Sequence, residues 1–151
     1  MIDALLPFLK LTQAFDAVDR DQKSYDLKRH ENDAEHSYQL AMIAWYLGSS
    51  MKLTLNREKV VLYALVHDLV EVYAGDTAPF TTDPEHNKNL HASKETKEKA
   101  AFEQICKEFP DFTDMTAVID NYEKKGDPES RFVYILDKVL ADLNVYLSGE
   151  Q

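Results

Sequence analysis

Apolar side chains in this chain recur mostly every three or four residues, the spacing of amphipathic helices, and no segment sustains the alternation of a strand. The first such pattern covers about residues 2–18, with Pro7 tolerated only near the helix start. A polar stretch, DRDQKSYDLKRHEN, follows and reads as a loop. Asn32 with Glu35 three residues later makes a capping-box-like start to a helix reaching about Ser49. Leu40, Ile43 and Leu47 form one apolar stripe on it, headed by His36. The next helix is expected from near Asn56 to Gly75, a good C-terminal residue. GDTAPFTTDPEHNKNLHA then reads as a long loop, and loops of that length in compact domains are usually functional or mobile. Ser93 can cap a helix to about Phe109, and FPDFTD turns into a shorter one ending near Gly126. Asp127 and Pro128 supply a cap and a first-turn proline for a last helix to about Leu147. The expectation is an all-α fold in which residues 1–151 form a single domain, long enough for a proper core.

One helical run departs from simple amphipathicity. In VVLYALVHDLVEVYAG, residues 60–75, the only polar side chains apart from tyrosines are His67, Asp68 and Glu71. At about 100° per residue they share one arc of an otherwise apolar helix, and a helix apolar nearly all round is buried. Burying ionisable groups is costly unless each is paired or binds a metal, and an imidazole with two carboxylates is a ligand set. His67 and Glu71, and Asp68 and Glu71, have the spacings that share a face. His67 and Asp68 are neighbours and diverge, so helical geometry alone does not bring both to one ion. His36 heads the stripe of another helix, and Asp137 flanks the apolar arc of the last one beside Val133 and Leu140. Taken singly, a core histidine and an exposed aspartate are the plainer readings of those two.

Composition excludes several classes. With 44% apolar and 29% charged residues the chain has the make-up of an ordinary soluble globule, and no apolar run approaches the roughly 18 residues of a membrane span. The N-terminal MIDALLPFLKLTQAF lacks a basic leader and a small-residue cleavage site, so it reads as an amphipathic helix and the protein as cytoplasmic. Cys106 is the single cysteine, which rules out an internal disulfide and thiolate-rich zinc sites. A formal net charge of -10 disfavours polymeric nucleic acid, whose affinity comes from clustered Lys and Arg. A small anionic substrate remains compatible, given a metal and local cations from among Arg20, Lys28, Arg29, Lys94 and Lys97.

Four blocks, AEHS (34–37), HDLVE (67–71), GDTAP (75–79) and LDK (136–138), in this order and at these separations, resemble the HD-domain metal-dependent phosphohydrolases. The nearest branch is that of the bacterial 5′-deoxynucleotidases and related predicted HD hydrolases, and the resemblance runs from Arg20 onward. It implies a helical bundle with His36, His67, Asp68 and Asp137 as ligands of one divalent ion. Two nitrogens and two carboxylates suit Mn, Fe, Co, Ni or Zn better than Ca. It further implies that Glu71 contacts the metal-bound water or the substrate, and that Asp76 lies near the nucleotide and scissile phosphate. The implied activity is hydrolysis of a (deoxy)nucleoside 5′-monophosphate or similar phosphate ester. Relatives of this branch commonly form dimers and often continue beyond the last helix seen here, so a homodimer and a further C-terminal element are candidates.

The chain departs from the branch in one place. The branch pairs an Arg with a Trp before the first His, whereas Arg20 is followed by Asp21 and the one Trp is Trp45. Arg20 and Arg29 are the candidate substrate cations, with a surface salt bridge as the competing reading of Arg29. His86 and His91 raise the question of a second metal, but they sit in the expected loop and read as solvent-exposed. Val72 after Glu71 argues against the alarmone hydrolases, which carry HDxxED. Two rivals remain: a catalytically idle HD domain that senses or assembles through a bound nucleotide or metal, and a two-iron HD oxidase, for which no extra histidine pair is evident.

Overall fold

The computed structural model describes residues 2–23, 29–75 and 84–148. In chain order these form α1 (Ile2–Asp16), β1 (Asp19–Lys23), β2 (His30–Asn32), α2 (Asp33–Ser50), α3 (Arg57–Val66), α4 (Glu71–Ala74), α5 (Pro84–Glu108), α6 (Thr113–Lys124) and α7 (Pro128–Ser148). The fold is all-α apart from a small ribbon. Asn32 caps α2 by the reciprocal pattern expected: its side chain accepts from the Glu35 N–H, and the Glu35 side chain accepts from the Asn32 N–H. Asn56 caps α3 one way only: its side chain accepts from the Lys59 N–H, while its own N–H donates to Glu129 Oε1 at 2.8 Å.

Three local expectations are corrected. The polar stretch after α1 is not simply a loop: β1 and β2 pair antiparallel, with Asp19 opposite Asn32 and Lys23 opposite His30. Ladder hydrogen bonds rather than an apolar face make this ribbon, so no hydrophobic alternation announced it. The helix expected to run unbroken to Gly75 ends at Val66, and residues 67–70 form a tight turn before α4. Its bonds run back three residues, Leu69 to Val66 at 3.0 Å and Glu71 to Asp68 at 2.8 Å, a tighter winding than the α-helix. Finally α5 begins at Pro84, nine residues before Ser93. Pro and Asn suggest a breaker, but a proline at the first helical position leaves nothing unsatisfied that was not orphaned already. The backbone carrying His86 and His91 is therefore helical. Asp76, Lys28 and the start of the expected loop lie outside the described residues.

Two apolar clusters hold the helices together. One joins Leu40 and Ala44 of α2, Val60, Tyr63 and Ala64 of α3, Tyr122 of α6 and Val133, Leu136 and Leu140 of α7. The other joins Leu11 and Phe15 of α1, Leu69 and Val70, Ala101 and Ile105 of α5, Phe109, and Met115 and Ile119 of α6. The turn at 67–70 thus has apolar anchors in the second cluster while α2, α3 and α7 are tied by the first. The polar side chains of the turn lie between these two clusters. No helix among the described residues is long and apolar enough to cross a membrane.

Candidate metal centre

His36 projects from the first turns of α2 and is fully buried, Asp137 comes from the middle of α7, and His67 and Asp68 come from the tight turn after α3. These four side chains meet. His36 Nε2 lies 2.8 Å from Asp137 Oδ1, His67 Nε2 lies 3.8 Å from the same oxygen and 2.9 Å from Asp68 Oδ2, and the two imidazole centroids are 5.3 Å apart. His36, His67 and Asp68 each offer an atom within 4.8 Å of the others, and so do Asp33, Asp68 and Glu71. His67 keeps helical dihedrals and a turn of this winding sets successive residues about 120° apart, so it is the reach of the two side chains, not the backbone, that brings His67 Nε2 within 2.9 Å of Asp68 Oδ2.

The tautomers favour a cation. His67 Nδ1 lies 2.9 Å from the Ala64 carbonyl, which can only accept, so Nδ1 carries a proton and Nε2 is the ring atom left to meet a cation. That Nε2 is buried and, despite its nearness to Asp68, makes no hydrogen bond. His36 differs. Burial alone would lower its pKa, but the hydrogen bond to Asp137 and the nearby Glu31 carboxylate outweigh this and raise it to about 9. The same contact, against the opposing effect of burial, brings Asp137 down to about 2. A proton therefore joins His36 to Asp137 where a cation can replace it. Asp68, despite its burial, is held well below the usual carboxylate range by His67 and Arg20. An orphaned imidazole nitrogen, a second imidazole and carboxylates in one buried cluster fit a divalent transition metal.

Cations surround the cluster. Arg20, from β1, reaches Asp33 Oδ1 at 2.9 Å and Asp68 Oδ2 at 2.6 Å. Lys138 Nζ lies 2.8 Å from Asp137 Oδ2, and Lys94 Nζ of α5 lies 3.5 Å from Glu71 Oε1. Glu71 itself is buried at the start of α4. Arg29 is exposed and pairs with Glu35, Nη1 to Oε2 at 2.9 Å, rather than reaching the cluster. Sequence reasoning missed Glu31 and Asp33, both buried against this centre. They sit in a polar stretch without periodicity, and an acidic residue in a first turn is ordinary helix chemistry, so nothing marked them as interior.

A family model described as "HD domain" matches residues 16–151. The chain belongs to the HD-domain family. Among its relatives, the protein named 5′-deoxynucleotidase HDDC2 of Homo sapiens is 30% identical over 138 residues, 89% of this chain and 63% of that one. The Xenopus laevis protein of that name is 32% identical over 138 residues, 89% of this chain and 64% of that one. This HD-domain chain thus spans under two thirds of the length of those relatives. A solved structure described as a predicted metal-dependent phosphohydrolase, from Magnetospirillum magnetotacticum MS-1, superposes with a TM-score of 0.80 at 28% identity. It covers 97% of this chain and 71% of that one.

Proposed function

We propose that this HD-domain protein is a divalent-metal-dependent phosphomonoesterase acting on a (deoxy)nucleoside 5′-monophosphate or a similar small phosphate ester. One observation carries the reading: two buried imidazoles and two carboxylates, drawn from α2, the 67–70 turn and α7, converge with an unsatisfied His67 Nε2 among them. His36, His67, Asp68 and Asp137 are the ligands in this reading. A divalent ion bound there supplies Lewis acidity, lowering the pKa of water and polarising a phosphoryl oxygen. The names of the HDDC2 relatives and of the Magnetospirillum structure support the substrate class and the metal dependence.

The chain's own residues then divide the work. Glu71, buried beside Asp68 and Lys94, takes the proton of the attacking water as the new O–P bond forms; the ester P–O bond breaks with its electron pair on the leaving oxygen, which takes up a proton from Glu71 or solvent and departs as the alcohol. Arg20 and Lys94 place positive charge where the phosphoryl group gathers negative charge. Asp76, outside the described residues, keeps in this reading the catalytic role that the family resemblance implies. A cytoplasmic location and a homodimer complete the proposal. The test is phosphate release from a panel of nucleoside 5′-monophosphates with Mn, Co, Ni, Zn or Fe added in turn. Turnover with at least one ion, and none with chelator, is expected. Tight nucleotide binding with no release under any ion would overturn the enzyme reading in favour of an idle sensor module.

A further inference from the structure

Glu31 is 2% exposed, an expensive position for a carboxylate without a task. It sits at the centre of β2, where strand alternation turns His30 outward and Glu31 inward. Its Oε2 lies 3.6 Å from His36 Nδ1. Among the described residues neither atom makes a hydrogen bond elsewhere, and the small closure between them is within reach of a side-chain torsion. The two histidines then follow one plan. His67 turns Nδ1 to the Ala64 carbonyl and His36 turns Nδ1 to the Glu31 carboxylate. Each is left with Nε2 facing Asp137 Oδ1, at 3.8 and 2.8 Å.

We infer that Glu31 is a positioning residue for the metal centre: it accepts the His36 Nδ1–H and thereby fixes the ring orientation and tautomer that present Nε2 inward. A carboxylate behind a ligating imidazole commonly acts in this way, and its loss typically weakens metal affinity by about 10- to 100-fold. The β1/β2 ribbon gains a purpose from this. It delivers Glu31 to one side of His36 and Arg20 to Asp68. The inference rests on the proposed metal reading, so the experiment separates the two.

Zinc affinity of the full chain is measured by competition with a chromophoric chelator, and the His36 Nδ1–H resonance is followed by nitrogen-edited NMR in zinc-loaded protein. Wild type should show a downfield, slowly exchanging Nδ1 proton. Glu31→Leu should lose that resonance and bind zinc about 10- to 100-fold more weakly. Glu31→Gln, which keeps the volume and one acceptor oxygen, should fall between them, with the resonance retained but shifted. If Glu31→Leu does not fold, the Gln variant decides by the same two readouts. Unchanged zinc affinity together with an unmoved Nδ1 resonance overturns the role of Glu31. Failure of wild type to bind any divalent ion overturns the metal reading instead.

Discussion

Removing the Asp127 carboxylate should loosen the start of α7, the helix that carries Asp137. Asp127 Oδ1 accepts from the Ser130 N–H at 2.8 Å, and Oδ2 accepts from the Tyr63 hydroxyl at 2.8 Å and from Lys59 Nζ at 3.1 Å. The cap alone is worth about 1 kcal/mol. Tyr63 is 2% exposed, and stripping the acceptor from its hydroxyl adds roughly 1–3 kcal/mol. The Lys59 side chain is half exposed, so its contact adds little. Asp127→Ala should therefore cost about 2–4 kcal/mol in urea unfolding followed by circular dichroism. In a Tyr63→Phe background only the cap remains to be lost, and the cost should fall to about 1 kcal/mol. The pH dependence has a definite sign. Burial would raise the Asp127 pKa, but hydrogen bonds from Ser130, Tyr63 and Lys59 outweigh it and hold the folded-state value below the ordinary one. A depressed folded-state pKa contributes stability that is complete above the unfolded value of about 3.9 and is lost as pH falls through the folded one. The gap between wild type and Asp127→Ala should be constant from pH 7 to 5 and narrow below pH 4. An equal cost with and without the Tyr63 hydroxyl, or a gap unchanged down to pH 2, would refute the reasoning.

Asp68→Ala should abolish turnover and lower metal affinity at least about tenfold; full activity in the purified variant would remove the proposed centre. Glu71→Gln should keep the fold and most of the metal while slowing turnover about 10²- to 10⁴-fold, and parallel loss of metal would make Glu71 a ligand instead. Adding a divalent ion at about 100 times its Kd to chelator-treated protein should raise stability by about 2.7 kcal/mol. For a chain of this size that is a rise in Tm of about 5–10 °C by scanning calorimetry, and an unmoved Tm would contradict a site built for a cation. Leu40→Ala, at a fully buried position of α2, should cost about 2–5 kcal/mol, read as a lower urea midpoint.

Much of the helical layout was legible because it depends on neighbours in sequence. The Asn32 and Glu35 capping box, the stop near Gly126 and the Asp127 and Pro128 start are all short-range patterns, and α2, α6 and α7 lie close to where those patterns put them. The buried polar arc of His67, Asp68 and Glu71 was legible for the same reason: three ionisable groups in an apolar run demand an explanation wherever the run ends up. The capacity of His67 and Asp68 to face one point was not. It depends on how their side chains reach across the turn toward His36 and Asp137, with Leu69 and Val70 packed against α1, α5 and α6, a packing that no local pattern contains. Glu31 and Asp33 were invisible because burial is a property of what covers a residue, and a β-ribbon with no apolar face gives no periodic sign of its inward side. The sequence by itself determined the helices, their caps and the residues with chemistry to offer. Only the tertiary structure decided which of those residues meet, since a distance such as the 2.8 Å between His36 and Asp137, 101 positions apart in the chain, is set by their two helices packing against a shared core.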